Sequence, residues 1–276
     1  MYPIVTILGK QFGTYMIMSV IGLLIAGFVF CRMIARRGLD DNDAIVFLLI
    51  AAVGLLIGGH LMFALTRLQL FRLFARIKNF KEFLAVMGGI FGGMVFYGGL
   101  LGAYGTAELW IRIKKLPRGI YLDCAAFMAP FFHSFARVGC FLAGCCYGIE
   151  SNFGFCAHGN TLTEIGDVRR FPVQLLEAIL NLGIALLMLY LLKKKKQEGK
   201  LFYIYLAIYA VVRFSDEFLR GDEVRGFLLG MSTSQFVSIL VETYALFMLF
   251  VLPHIKKQKV TEQTPPELPQ DAPSVG

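Results

Sequence analysis

Long apolar runs dominate this chain, at 14–34, 44–65, 84–111, 119–146, 172–192, 201–219 and 232–253. Each is close to or above the roughly 20 residues that a helix needs to cross a hydrocarbon layer about 30 Å thick. Inside such a layer the backbone has no water to bond with, so its N–H and C=O groups must satisfy one another along the segment. The composition agrees: 57% of the 276 residues are hydrophobic and 17% are charged, too apolar a balance for a soluble domain of this length. The expected fold is an all-α polytopic membrane protein of about seven transmembrane helices. Residues 1–257 read as one transmembrane domain. The Pro-, Glu- and Gln-rich stretch 258–276 has little to bury and is expected to be a disordered tail. The first run lacks a basic leader and a small-residue cleavage pattern, so it reads as a retained helix.

A net charge of +8 would suggest nucleic acid in a soluble protein, but here the cations sit in short loops where they set topology and meet anionic headgroups. No nucleic-acid partner is expected. Arg32, Arg36 and Arg37, then Arg112, Lys114, Lys115 and Arg118, then the lysines 193–196 with Lys200, and Lys256, Lys257 and Lys259 fall on one side. Lys10, the basic set within 67–81, Arg169, Arg170, Arg220 and Arg225 fall on the other, giving fifteen against ten. The richer side is cytoplasmic, so the N-terminus is expected outside and the C-terminus inside. Residues 66–82 interleave apolar and basic side chains, as an interfacial helix on the outer leaflet would.

Arg137 and Arg213 lie deep in apolar runs. An arginine at membrane depth costs about 2.5–3.5 kcal/mol on insertion scales and faces a wet cavity, a counter-ion or an anionic ligand. Tyr209, Arg213 and Glu217 recur every fourth residue and share one helix face. That stripe fits a self-contained Arg213/Glu217 pair or, together with Arg137, a phosphate clamp. Glu177 needs a partner if it faces the same cavity. His133, one turn before Arg137, and His60 in the second run are candidates for proton transfer or for helix packing. Asp123 reads as a capping residue. The glycines at 88–105 fit either small-xxx-small packing or a broken helix that exposes backbone N–H groups near Tyr97.

Cysteines fall at 31, 124, 140, 145, 146 and 156. The spacing C-x4-CC-x9-C-x-H matches no strong metal pattern, so neither a metal nor a cofactor is expected. A disulfide from Cys156 to Cys145 or Cys146, a thiolate near Arg137 and small buried hydrophobes all remain open.

Several separated segments, in order, resemble the bacterial prolipoprotein diacylglyceryl transferase family. They are Tyr97-Gly98-Gly99-Leu100-Leu101-Gly102, the signature from Arg137 to Gly148, Pro172-x-Gln174-Leu175-x-Glu177, the Tyr209/Arg213/Glu217 stripe with Phe214 and Phe218, and Leu229-Gly230-Met231-Ser232-x-x-Gln235. The resemblance implies a seven-span enzyme of the bacterial inner membrane. Such an enzyme moves the diacylglyceryl group of phosphatidylglycerol onto the lipobox cysteine of a preprolipoprotein signal peptide and releases glycerol phosphate. Its partners would be that lipid, that peptide and the surrounding membrane lipids. By position, the resemblance makes Arg137, Arg213, Tyr97, Glu217 and Tyr209 catalytic candidates; His133, one turn before Arg137, joins them as a candidate base in place of Tyr97. Phosphatidylglycerol binding would involve Arg137, Arg213, Gly98, Gly99, Gly139, Cys140, Cys145 and Gly148.

The chain departs from the family pattern at several of these places. Tyr97 stands where members have histidine, Cys140 where they have asparagine, Cys145 where they have glutamate, His60 for an arginine and Phe171 for a histidine. The form Gly-Cys-Phe-Leu-Ala-Gly-Cys-Cys-Tyr-Gly resembles a branch of the family. A paralogue that lipidates another acceptor, or a non-catalytic lipid-binding or transport protein, would share most of these features. A channel would show a ring of like charges and many transporters an inverted repeat; neither is present in the sequence.

Overall fold

The computed structural model describes residues 2–156, 168–221, 227–228 and 230–251. The expected tail, His158, Asp222, Glu223, Arg225 and Leu229 lie outside the described residues. A short hairpin of β1 (Ile4–Ile7) and β2 (Lys10–Gly13) leads into α1 (Thr14–Ala35), α2 (Asp41–Thr66) and a 3-10 segment, Leu68–Arg76. Then come α3 (Phe80–Phe91), α4 (Phe96–Lys114), α5 (Arg118–Ala143), β3 (Glu150–Phe155), α6 (Val173–Lys193), α7 (Leu201–Asp216) and α8 (Thr233–Leu246). A 3-10 turn, Glu217–Leu219, prolongs α7, and a π-helical turn, Phe247–Val251, prolongs α8.

The starts of these helices are written locally. Asp40 accepts the Asn42 N–H at the head of α2, and Asn79 accepts the Glu82 N–H at the head of α3. Ser232 and Gln235 form a capping box at α8. Asp123 caps as expected, though not its own helix: its carboxylate accepts from Gly199 N at 2.6 Å and Leu201 N at 3.0 Å, fastening the start of α7 to α5.

Large apolar side chains point outward along the middle of the helices. Leu24, Phe28, Leu49, Ile57 and Ile179 each expose more than 60% of their surface. A continuous apolar exterior on this scale is stable against lipid, not water. Five segments are long and apolar enough to cross a membrane: α1, α2, α5, α6, and α8 with its π turn. The chain is therefore a multi-pass membrane protein. α7 is 16 residues long, and the sixth apolar run is completed by the 3-10 turn that follows it.

The run at 84–111 is broken at Gly92-Gly93-Met94-Val95, between α3 and α4. The glycines both break the run and pack against α2. The backbone freed by the break is satisfied by α2: Val95 N donates to Gly59 O at 3.1 Å, and His60 Nδ1 lies 2.7 Å from Phe91 O and 2.8 Å from Gly93 O. His60 thus fastens a break in a helix. Past the break, α4 crosses α2 where glycines meet. A Cβ on Gly54, Gly58, Gly98 or Gly102 would collide with backbone of the opposite helix, which is close small-residue contact between membrane helices. The 3-10 segment at 68–76 takes the place of the interfacial helix and packs through Phe74 on Phe83 of α3.

α5 is the axis of the molecule, flanked by α1, α6 and α7. Its buried face runs from Tyr121 to Cys140 and carries Asp123, His133 and Arg137. Gly139 lets α1 approach, since a Cβ there would press on Tyr15 and Met18. At one end, Arg118 donates to both Glu108 oxygens at 2.8 Å and to the Tyr203 hydroxyl at 2.7 Å, joining α4, α5 and α7.

Candidate active site

Toward the other end of α5, five helices bring polar groups together inside an apolar bundle. Arg137 on α5 donates to Glu177 on α6, Nη2 to Oε1 at 2.7 Å; Glu177 keeps only 1% of its surface exposed. His133, one turn earlier on the same face, has Nε2 3.8 Å from the same oxygen. Its ring lies 5.4 Å from that of Tyr209 on α7. Glu177 thus has the partner its burial demands. Asn181 Nδ2 donates to the Glu177 carbonyl one turn along.

One turn past Tyr209, Arg213 pairs with Glu217 at 2.7 Å, the i,i+4 contact expected from the stripe. Its Nη2 also donates to Ser234 Oγ on α8 at 2.9 Å. Tyr97, in the first turn of α4, places its hydroxyl 3.0 Å from Ser238 Oγ and 3.4 Å from the Ser234 carbonyl. The catalytic candidates Tyr97, His133, Arg137, Tyr209, Arg213 and Glu217 therefore belong to one buried assembly, which also takes in Glu177, Ser234 and Ser238.

A guanidinium carries five N–H donors in a planar fork, so one carboxylate does not exhaust it. Arg137 Nε and Arg213 Nη1 are buried and have no hydrogen-bond partner among the described residues. The Arg213/Glu217 pair accordingly forms without closing the site. Two cations at membrane depth with donors to spare suit an anionic, multi-oxygen ligand such as a phosphodiester. An apolar groove of about 310 Å³ between α7 and α8, lined by Val211, Phe214, Ile239 and Ser238 among others, runs up to this assembly through Ser238.

The glycines expected to bind lipid lie at close contacts between elements. Gly98 and Gly99 abut α2, Gly139 abuts α1, and Gly148 lies against the backbone of Phe171 and Leu219. Gly148 also bridges to Arg220, tying the end of the Arg137 signature to the end of α7. Cys140 is buried, one turn from Arg137, and Cys145 turns back over it. The Cys145 carbonyl accepts from Gln174 Nε2 at 2.9 Å. All six cysteines are free thiols, so no disulfide joins Cys156 to Cys145 or Cys146. Ser234 and Ser238 escaped the reading of the sequence; their i,i+4 spacing in an apolar run was the available signal.

The family model for prolipoprotein diacylglyceryl transferase matches residues 3–251. A phosphatidylglycerol--prolipoprotein diacylglyceryl transferase of Clostridium tetani is 27% identical over 251 residues, covering 91% of this chain and 96% of its own length. The second such enzyme of Clostridium perfringens is 30% identical over 85% of this chain and 90% of its own length. That of Geobacter sulfurreducens is 30% identical over 87% and 88%. With the match running through nearly every element just described, the chain belongs to the prolipoprotein diacylglyceryl transferase family.

Proposed function

We propose that this protein transfers the diacylglyceryl group of phosphatidylglycerol to the lipobox cysteine thiol of preprolipoproteins and releases glycerol phosphate. The observation that carries the mechanism is the pair of buried guanidiniums, Arg137 and Arg213, each tied to a carboxylate at 2.7 Å and each keeping an N–H with no partner among the described residues. In the transfer, the acceptor sulfur bonds to the terminal glyceryl carbon while that carbon's bond to the phosphate oxygen breaks. Negative charge gathers on the departing phosphate, and preorganised donors aimed at developing charge usually supply the largest share of catalysis. Arg137 and Arg213 fill that role, and Glu177 and Glu217 hold them in place. One proton leaves the thiol and one reaches the phosphate; Tyr97, His133 and Glu217 are the titratable groups on hand to exchange it. Tyr209 packs on His133 and fixes its ring. The acyl chains reach the site along the apolar groove between α7 and α8, where exclusion of water strengthens each of these interactions.

The membrane arrangement we infer counts α3 and α4 as one interrupted crossing and α7 with its 3-10 turn as another. That gives seven crossings, with the N-terminus outside, the C-terminus inside and the arginine site toward the outer leaflet of the bacterial inner membrane. The charge bias between alternate loops supports it.

The test is to supply purified protein with phosphatidylglycerol and a peptide bearing a lipobox cysteine, and to follow the diacylglyceryl adduct and glycerol phosphate by mass spectrometry. Both products should form, and both should be lost in Arg137→Ala and Arg213→Ala. Lipid binding without turnover in the folded protein would replace transfer by recognition alone.

A further inference from the structure

The signature that holds Arg137 ends in a feature the clamp does not use. Gly144 closes α5 with φ +76°, Gly144 N donates to Phe141 O, and Cys145 N donates to Cys140 O at 3.1 Å. These are the two bonds of a Schellman motif, which brings the residue after the glycine back onto the last turn of the helix. Cys146 follows, also left-handed at φ +55°. The two reversals stack Cys145 and Cys146 against Cys140. The Sγ atoms of Cys140, Cys145 and Cys146 all lie within 4.8 Å of one another. Three sulfurs bound to one ion at about 2.3 Å stand roughly 4 Å apart, so side-chain rotation alone closes the cluster on a metal. Cys140 is buried while Cys145 and Cys146 are partly open, so one side remains approachable. Arg137, three residues before Cys140 on the same helix, sets a positive charge beside the cluster, which offsets the excess negative charge of three thiolates around a divalent ion.

We propose that Cys140, Cys145 and Cys146 bind a thiophilic divalent cation of the zinc class, and that the acceptor cysteine thiol completes its coordination as the fourth ligand. This rests on the transfer reading and deepens it. Soft thiolate ligands select such ions over magnesium or calcium, and three protein ligands with one open position are the pattern of reactive, not structural, zinc. A thiol that enters the coordination sphere loses its proton outright, here to water. The bound thiolate then attacks the terminal glyceryl carbon, forming the C–S bond. The C–O bond to phosphorus breaks, its electron pair leaves with the phosphate oxygen held by the arginines, and protonation gives glycerol phosphate. The ion thereby supplies the thiolate in a chain that carries Tyr97, a phenol and so a poor base, at the head of α4.

The probe is cobalt(II), titrated into the reduced protein in lipid nanodiscs. The expected result is one ion per chain with a thiolate-to-cobalt charge-transfer band. That band disappears in the Cys140→Ser/Cys145→Ser/Cys146→Ser variant and persists in Cys31→Ser and Cys156→Ser. A lipobox peptide should raise the wild-type band by about a third, four thiolates replacing three, whereas the same peptide with serine for cysteine should not. No binding, binding that survives the triple substitution, a band indifferent to the cysteine peptide, or a disulfide among these thiols in protein isolated without reductant would each overturn the proposal. The wild-type response to the two peptides needs no variant to fold. Undiminished transfer by metal-stripped protein would overturn the metal site and leave the transferase reading standing. A band that answers the cysteine peptide in a protein giving no adduct with zinc restored would do the reverse.

Discussion

Arg137 and Glu177 form a buried pair at 2.7 Å, and their burial decides what each substitution does. Glu177→Gln removes the charge but keeps the shape, so Arg137 is left with an uncompensated cation in an apolar surround. Breaking one partner of a buried pair costs about 3–5 kcal/mol. The detergent-purified Glu177→Gln protein should show a lower unfolding midpoint, and Glu177→Gln/Arg137→Met should recover most of the loss while remaining inactive. Arg213→Ala takes the cation from Glu217 in an equally short, buried pair and should likewise lower the unfolding midpoint. In the protein that folds it should lower transfer by about 100-fold or more, the scale for losing a donor to developing charge, which the adduct assay measures. Tyr97→His should keep or raise activity, because an imidazole there can exchange a proton near neutral pH; a dead variant would mean the position no longer handles one. Single residues were the easiest part to read from the sequence. A cation or a carboxylate in an apolar run needs a partner, so Arg137, Glu177 and Arg213 stood out. Ser234 and Ser238 did not, because a serine in a membrane helix commonly satisfies itself on the preceding turn, as Ser238 does on the Ser234 carbonyl at 2.8 Å. Only the tertiary fold brings Tyr97 to them.

Among the elements, α2 and α4 share the closest contact. Gly54 and Gly58 face Gly98 and Gly102, with no room for a Cβ at any of the four. Gly102→Val should therefore destabilise by at least the 1–3 kcal/mol typical of overpacking. Gly105→Ala, where an added Cβ meets nothing within 4 Å, should leave the unfolding midpoint unchanged. The contrast between two glycines one turn apart is the check. Six of the seven apolar runs each located one helix to within a few residues, and the seventh spanned α3 and α4 together, because hydrophobicity along a membrane helix is continuous and its ends are marked by charge. The break at 92–95 was legible only as an alternative. A Gly-Gly pair weakens a helix equally whether it packs or opens, and the decision belongs to Gly59 and His60 on another helix. The Schellman turn after α5 had its signal in Gly144, but neither spacing nor composition says that its return brings three sulfurs together.

For the molecule as a whole, the inferred topology has a direct check. A green fluorescent protein fused to the C-terminus should fluoresce, and an N-terminal epitope should be open to protease in spheroplasts. Removal of residues 258–276 should leave transfer at the wild-type level. The proposed orientation draws on loop charge, a bulk property of the sequence, whereas the location of the assembly within the bundle depends on which helices neighbour α5, and nothing local encodes that. The interlocked glycines have a mechanical consequence. Backbones in direct contact leave no side-chain layer that can yield, so α2 and α4 can move only together and form a stiff wall. The seam between α7 and α8 has no such interlock, holds the apolar groove and ends at Ser238. Elastic opening for a two-tailed lipid therefore falls on that seam, and a cross-link spanning it should arrest turnover while one across α2 and α4 should pass unnoticed.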